Sequence, residues 1–92
     1  MHWRLFATLA EAAGSDTVCI VVGPDATVGD ALVALLEKAP AVEDRIYDDD
    51  GALYDHVRLL KNGESVFTAG DGLSEPITPD DELALMPAVS GG

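Results

Sequence analysis

Cysteine is nearly absent from this 92-residue sequence, in which Cys19 is the single one. One thiol cannot form an intramolecular disulfide, and it cannot supply the several sulfur ligands of a structural zinc site or an iron–sulfur cluster. Because Val18 and Ile20 flank it in an apolar run, we interpret Cys19 as a small buried side chain rather than a redox thiol. This composition fits a reducing compartment, and we expect a cytoplasmic protein.

Positively charged residues are also scarce, with 5 Lys and Arg against 17 Asp and Glu and a net charge of −12. Such a surface repels phosphate backbones and anionic membranes, so we exclude nucleic acid and lipid as partners. Like charges at this density destabilise the folded state unless salt screens them, which indicates a protein suited to high ionic strength. The alternative is an acidic domain that binds a basic partner.

Long apolar runs are missing as well. No stretch approaches the roughly 20 residues that a membrane-spanning helix needs, and the N-terminal MHWRLF lacks the pattern of a secretory signal. His2 and His56 lie far apart without clustered acidic or thiol ligands, so we predict no metal site. A chain of this length builds one modest core without a large enclosed pocket, so we do not expect an autonomous enzyme.

The first part of the chain predicts two strands and the main helix. Apolar and polar residues alternate over 2–7, and β-branched residues dominate 17–22, so we expect a pair of strands there. Thr27 with Asp30 has the spacing of a capping box, and apolar residues then recur at helical intervals as far as Pro40. The core side of the first strand is predicted to carry Trp3, Leu5 and Ala7.

The middle of the chain predicts an irregular connection and a hairpin. Residues 41–55 show no sustained period, and we expect one helical turn at 42–46 within them. Asn62–Gly63 is the preferred pair for a type I′ turn, which predicts a hairpin of strands 57–61 and 64–68.

The last strand, at 82–86, completes an α+β domain. The order strand, strand, helix, strand, strand, strand is that of the β-grasp fold, a mixed sheet of about five strands with one main helix across one face. We expect the first and last strands to lie side by side at the centre, in a domain over 1–87 that is followed by a tail at 88–92. The predicted core facing the helix comprises Trp3, Leu5, Leu83, Leu85, Leu32, Leu35 and Leu36.

The other face of this sheet has no second helix to cover it. The alternation that turns Trp3 and Leu5 inward places Phe6 and Met86 on the open face, with Leu60 beside them on another strand. Adjacent exposed apolar residues mark protein-binding sites, whereas scattered ones are ordinary surface. We therefore predict that Phe6, Leu60 and Met86 contact a partner.

The sequence closes with Pro87-Ala88-Val89-Ser90-Gly91-Gly92, which carries a carboxylate on an arm without bulky side chains at its tip. Glycines pass through a channel too narrow for a Cβ atom and reach backbone angles closed to other residues. A carboxylate is unreactive until it is activated, and adenylation with ATP would make it open to attack by a sulfur or amine nucleophile. On composition alone, the same glycines fit an ordinary frayed terminus.

Four segments agree in order with one known family, and they are LFATLAEAAGSDTV, DATVGDALVALL, GALYDHVRLLKNGE and DDELALMPAVSGG. They resemble the ubiquitin-like sulfur carriers typified by the small subunit of molybdopterin synthase, and more closely the small archaeal modifier proteins of halophilic archaea. The match runs nearly from end to end. Two positions depart from the family pattern, which often has an aromatic residue at Met86 and a proline at Ala88.

This resemblance implies a β-grasp protein whose Gly92 carboxylate is adenylated by a ubiquitin-activating-like enzyme that uses ATP and magnesium. The adenylate then gives a thiocarboxylate, for molybdopterin synthesis or tRNA thiolation, or an isopeptide bond with a lysine of a target protein. By position, Gly91 and Gly92 match the family diglycine, and Phe6 and Met86 match sheet residues that meet the partner. The tail implied to enter the partner's active site comprises Pro87, Ala88, Val89, Ser90 and Gly91.

The partners implied by the resemblance are the activating enzyme, target lysines, the large subunit of molybdopterin synthase and a deconjugating metalloprotease. The alternative function is a non-covalent binding or regulatory module that acts through its acidic surface and open sheet face, with the glycines idle. Deletion of Gly92 separates the two. Two lysines, Lys38 and Lys61, are available as acceptors of a second modifier, and the sequence does not decide whether either is used.

Overall fold

Two parallel strands at the centre of a mixed sheet organise the fold of the computed structural model, which describes residues 1–51, 53 and 57–87. The strands are β1 (His2–Leu5), β2 (Thr17–Cys19), β3 (Arg58–Lys61), β4 (Glu64–Ser65) and β5 (Leu83–Met86). They lie in the order β2-β1-β5-β3-β4. β1 and β5 are parallel, and the other neighbouring pairs are antiparallel. The predicted mixed sheet and its central strand pair are confirmed.

One long helix covers one face of this sheet. The helices are α1 (Thr8–Ala13), α2 (Val28–Lys38), α3 (Glu43–Ile46) and α4 (Val66–Ala69), with 3-10 turns at Pro40–Val42 and Gly72–Ser74. Thr27 Oγ1 accepts a hydrogen bond from Asp30 N at 3.3 Å, and the Asp30 carboxylate accepts one from Thr27 N at 3.0 Å. This is the predicted capping box, which pairs N–H groups that a helix start leaves free.

The core lies between α2 and the central strands. The predicted core residues that are buried are Trp3, Leu5, Leu83, Leu85, Leu32 and Leu35. Leu36, the last of the predicted set, is only partly buried. The Trp3 indole Nε1 donates a hydrogen bond to the Ala31 carbonyl oxygen at 2.9 Å, so the polar end of this large side chain is satisfied inside the core. Within the described ranges, no helix is long and apolar enough to cross a membrane.

The first two strands are shorter than predicted. β1 ends at Leu5, and Ala7, which we expected in the core, is exposed with a φ of 52° just before α1. β2 ends at Cys19 because that residue pairs with His2, where β1 begins, so later residues have no β1 residue opposite them. A run of β-branched residues thus favours a strand, but the length of the neighbouring strand limits how far that strand extends.

The predicted hairpin is present, but its second strand is also short. Asn62 and Gly63 have φ values of 54° and 87°, the positive pair that a type I′ turn requires. β4 ends at Ser65 instead of residue 68, and the chain turns into α4. This turn buries the side chain of Val66 at 2% exposure, and packing in the core thereby overrides the alternating pattern.

The connection after α2 contains the expected helical turn. The Pro40–Val42 turn leads directly into α3, and both Val42 and Ile46 are fully buried. Tyr47 and Leu53 form an isolated antiparallel bridge beyond it. Residues 52, 54 and 55 of the predicted connection lie outside the described residues, as does His56.

Candidate functional site

The open face of the sheet carries the predicted partner residues in adjacent rows. Arg4 of β1 pairs with Ala84 of β5, and Ala84 pairs on its other side with Leu60 of β3. Met86, two residues along β5, is opposite Arg58. Because side chains two residues apart in a strand lie on the same side, these five residues share the face turned away from the buried leucines. Leu60 and Met86 are therefore diagonal neighbours on the open face.

Phe6 extends this surface just beyond the end of β1. Leu5 pairs with Leu85, and Phe6 and Met86 are the next residues of the two parallel segments. The Arg4 guanidinium carbon lies 5.8 Å from the centre of the Phe6 ring, within range of a cation–π interaction. Phe6, Leu60 and Met86 are each half-buried, so each offers part of its apolar surface to solvent. We call these three residues the apolar patch.

Positive charge accompanies the apolar patch. Arg4 and Arg58, two of the three arginines in a chain of net charge −12, lie on the open face. Arg4 Nη1 is 3.6 Å from Glu82 Oε1, but the side chains are 57% and 62% exposed, so the pair contributes little to stability. The face therefore suits a partner surface that combines apolar side chains with carboxylates.

The last strand of the sheet ends at the apolar patch. Met86 is the last residue of β5, and the half-buried Pro87 follows it. Proline has no backbone N–H to extend the ladder, which explains why the strand stops there. The remaining predicted tail residues lie outside the described residues, and they are Ala88, Val89, Ser90, Gly91 and Gly92.

Cys19 is exposed, which corrects the prediction that it is buried. Cys19 lies on the outer strand β2 and pairs with His2 of β1, while Ile20 next to it is buried. Alternation along a strand turns Cys19 to the open side when its neighbours turn inward. The apolar neighbours that suggested burial therefore indicate exposure of Cys19, because adjacent residues of a strand face opposite sides of the sheet.

Lys61 is held in an ion pair that sequence reasoning missed. Its Nζ lies 2.6 Å from Glu75 Oε2 and 3.1 Å from the Pro76 carbonyl oxygen. Glu75 Oε1 also accepts a hydrogen bond from Asp71 N at 3.1 Å. The hydrogen bond with Lys61 lowers the pKa of Glu75, and the same bond raises the pKa of Lys61. The partners are 14 residues apart, so no local pattern could have revealed them.

A metal site does not emerge from the geometry. Among the residues that the structure describes, no group of three or more His, Cys, Asp or Glu side chains could hold a metal ion. His2 lies on β1, and His56 is outside the described ranges.

Comparison with known proteins identifies the family of the chain. The model of the ThiS family matches residues 3–92, which include β5, all of β1 after His2, and the diglycine. The chain belongs to the ThiS family. The resemblance to ubiquitin-like sulfur carriers predicted from the sequence is thereby confirmed.

Individual ThiS-family relatives agree with this assignment over the whole chain. Small archaeal modifier protein 1 of Haloferax volcanii is 55% identical over 92 residues, with 100% of both proteins covered. Its crystal structure gives a TM-score of 0.88 and covers 100% of this chain and 98% of that one. Small archaeal modifier protein 3 of the same organism is 36% identical, over 100% of this chain and 98% of the relative. The predicted β-grasp fold is confirmed by these likenesses.

Proposed function

We propose that this chain is a ubiquitin-like protein modifier and sulfur carrier whose reactive group is the Gly92 carboxylate. The observation that carries the proposal is the direct connection between the apolar patch and the diglycine, because Met86 belongs to one and begins the path to the other. The two Haloferax volcanii relatives bear the name of modifier proteins, which supports the same role. The chain is then a substrate of its partner enzymes and no enzyme itself.

The chemistry begins with activation of Gly92 by an adenylating enzyme that uses ATP and magnesium. The carboxylate oxygen attacks the α-phosphorus of ATP, pyrophosphate leaves, and an acyl adenylate forms. Hydrosulfide then displaces AMP to give a thiocarboxylate and a proton, or a lysine amine displaces AMP to give an isopeptide bond and loses a proton. The partner enzyme supplies the donors that stabilise the oxyanion in both steps.

The apolar patch docks on the activating enzyme in this proposal. Phe6, Leu60 and Met86 bury their exposed surface there, and Arg4 and Arg58 face carboxylates of the partner. The body of the domain, as far as Met86, stays outside the catalytic channel. The tail enters it, and its residues are Pro87, Ala88, Val89, Ser90, Gly91 and Gly92.

The same activated tail serves several further partners in the cytoplasm, where ATP is available. Lysines of target proteins receive it as a modification, and a deconjugating metalloprotease removes it. The large subunit of molybdopterin synthase, or an enzyme of tRNA thiolation, receives the sulfur of the thiocarboxylate. These partners follow from the family resemblance and from the exposed face that the fold leaves for them.

The test uses the full chain, its activating enzyme, ATP and magnesium, and it measures intact mass, ATP consumption and binding to the enzyme. The wild-type chain is expected to form the adenylate, while a chain that lacks Gly92 still binds the enzyme but consumes no ATP. Equal binding of the two chains would show that the deletion spares the apolar patch. Equal ATP consumption would instead support the alternative, a non-covalent binding module with idle glycines.

A further inference from the structure

The two lysines of the chain have opposite environments. Lys61 Nζ is engaged by Glu75 Oε2 and by the Pro76 carbonyl oxygen, and 24% of its side chain is exposed. Lys38 is exposed in the last turn of α2. Within the part of the chain that the structure describes, Lys38 has neither a hydrogen bond nor an ion pair. Of the two lysine side chains, Lys61 is therefore tethered and Lys38 is free.

The tethered amine is a poor acceptor for an activated carboxylate. Attack on an acyl group needs the lone pair of a neutral amine, and the Glu75 carboxylate favours the protonated form of Lys61. Two of the three N–H groups of the ammonium are already donated within the chain. Acylation of Lys61 would also leave the Glu75 carboxylate, which is 19% exposed, without its cation.

The free amine of Lys38 is carried by the end of a regular helix. α2 is a regular helix as far as Lys38, and the exposed residues Pro40 and Ala41 follow in the adjoining turn. A lysine stem of four carbons can therefore extend from a fixed backbone into solvent, which is what insertion into a partner's active site requires.

A modification at Lys38 would leave the apolar patch uncovered. The Pro40–Val42 turn after Lys38 packs on α1, and α1 follows the end of β1. Because β1 and β5 are parallel, Lys38 lies toward the end of the sheet at which β5 ends with Met86. α2 nevertheless occupies the face opposite the apolar patch. A chain modified at Lys38 can therefore still present its own patch and tail to the activating enzyme.

We propose that Lys38 is the site at which the chain accepts a second copy of itself. This inference rests on the proposed function, because the second copy must arrive as its Gly92 acyl adenylate. Lys38 Nζ attacks the Gly92 carbonyl carbon, the carbon–oxygen bond to AMP breaks, and AMP and a proton leave. The product is an isopeptide-linked dimer in which the acceptor copy retains a free Gly92 carboxylate.

The experiment compares the full-length wild type with Lys38→Arg and Lys61→Arg in the presence of the activating enzyme, ATP and magnesium. Arginine keeps the positive charge in both variants, and it preserves the ion pair with Glu75 in the second. The dimer is expected to form in the wild type and in Lys61→Arg, and to fall at least about tenfold in Lys38→Arg. Cleavage after acidic residues leaves residues 83–92 attached to the modified lysine, which identifies the acceptor by mass.

The outcomes separate this inference from the proposed function. A dimer linked through Lys61 or through the N-terminal amine would overturn the assignment to Lys38. Formation of the Gly92 adenylate without any dimer would also overturn it but would leave the proposed function standing. If the wild type forms no adenylate at all, the proposed function fails and the inference fails with it.

Discussion

At the scale of single residues, the structure separates groups that hold the fold from the half-buried side chains of the apolar patch. Lys61 and Glu75 join the hairpin to the segment before β5 through a contact of 2.6 Å. Asn62 Nδ2 donates to Asp81 Oδ1 at 2.9 Å, and this bond lowers the pKa of Asp81. Phe6 and Met86, in contrast, make no comparable polar bond among the described residues and keep part of their surface exposed.

The lowered pKa of Glu75 predicts a loss of stability in acid. Because the folded chain holds this carboxylate ionised, its contribution is present above the ordinary value of 4.5 and is lost as the pH falls toward the lowered value. The difference in unfolding free energy between the wild type and Glu75→Gln should therefore shrink between pH 7 and acid. Denaturant titrations at several pH values measure it.

Glu37→Gln is the matched control, because it removes one negative charge from an exposed site on α2. The difference in unfolding free energy between Glu37→Gln and the wild type should change less over the same pH range. Parallel behaviour of the two variants would mean that general charge repulsion, and not the Lys61–Glu75 pair, governs the acid response.

A charge placed in the apolar patch is predicted to weaken binding of the activating enzyme. Met86→Asp should raise the dissociation constant by about tenfold or more, because a carboxylate would have to be desolvated in an apolar contact. Calorimetric titration measures the affinity. Val33→Asp is the control, since Val33 is an exposed apolar residue on the opposite, helical side. Similar losses for both variants would contradict docking through the open face.

At the scale of elements, the sequence patterns correctly predicted the features that depend on residues close together in the chain. The Thr27–Asp30 box starts α2, Asn62–Gly63 forms the turn, and the alternation of β1 and β5 identifies their buried sides. Tertiary contacts decided the rest. β2 stops opposite the start of β1, α4 replaces a strand because Val66 enters the core, and Cys19 is exposed because it lies on the open face of β2.

The candidate site shows the same division between local and distant causes. The sheet face of Phe6, Leu60 and Met86 could be predicted because it depends on alternation within single strands. The Lys61–Glu75 pair could not, because it joins a strand to a segment 14 residues away. That pair is what distinguishes the two lysines as acceptors, so this distinction required the structure.

Removal of the helix cap is predicted to destabilise the domain modestly. Thr27→Ala deletes the hydroxyl that accepts from Asp30 N and should cost about 1 kcal/mol of unfolding free energy. Thr27→Ser keeps the hydroxyl and should retain most of it. Chemical denaturation monitored by Trp3 fluorescence measures both variants. Equal stability of Thr27→Ala and the wild type would show that the box contributes nothing.

At the scale of the whole molecule, charge is the dominant feature. A net charge of −12 on 92 residues makes the folded state self-repelling, and pairs such as Arg4–Glu82 and Lys61–Glu75 offset only a small part of it. Arg4 and Arg58 reduce the excess of negative charge on the open face. The molecule thus combines an acidic exterior with one locally cationic, apolar surface.

This charge predicts that salt stabilises the protein. Raising the ionic strength from about 0.1 M to about 1 M shortens the screening length from roughly 10 Å to roughly 3 Å, so the melting temperature should rise by several degrees. Thermal unfolding across a potassium chloride series measures the change. A melting temperature independent of salt would favour the alternative of an acidic surface that serves a basic partner.

The central claim is that Gly92 is the reactive group of the chain, and the most direct measurement is mass spectrometry of the protein from its own cells. The account predicts a fraction in which sulfur replaces one carboxylate oxygen of Gly92, and target lysines that carry residues 83–92 after cleavage at acidic residues. Finding the carboxylate unmodified throughout, with no such remnant on any protein, would contradict it.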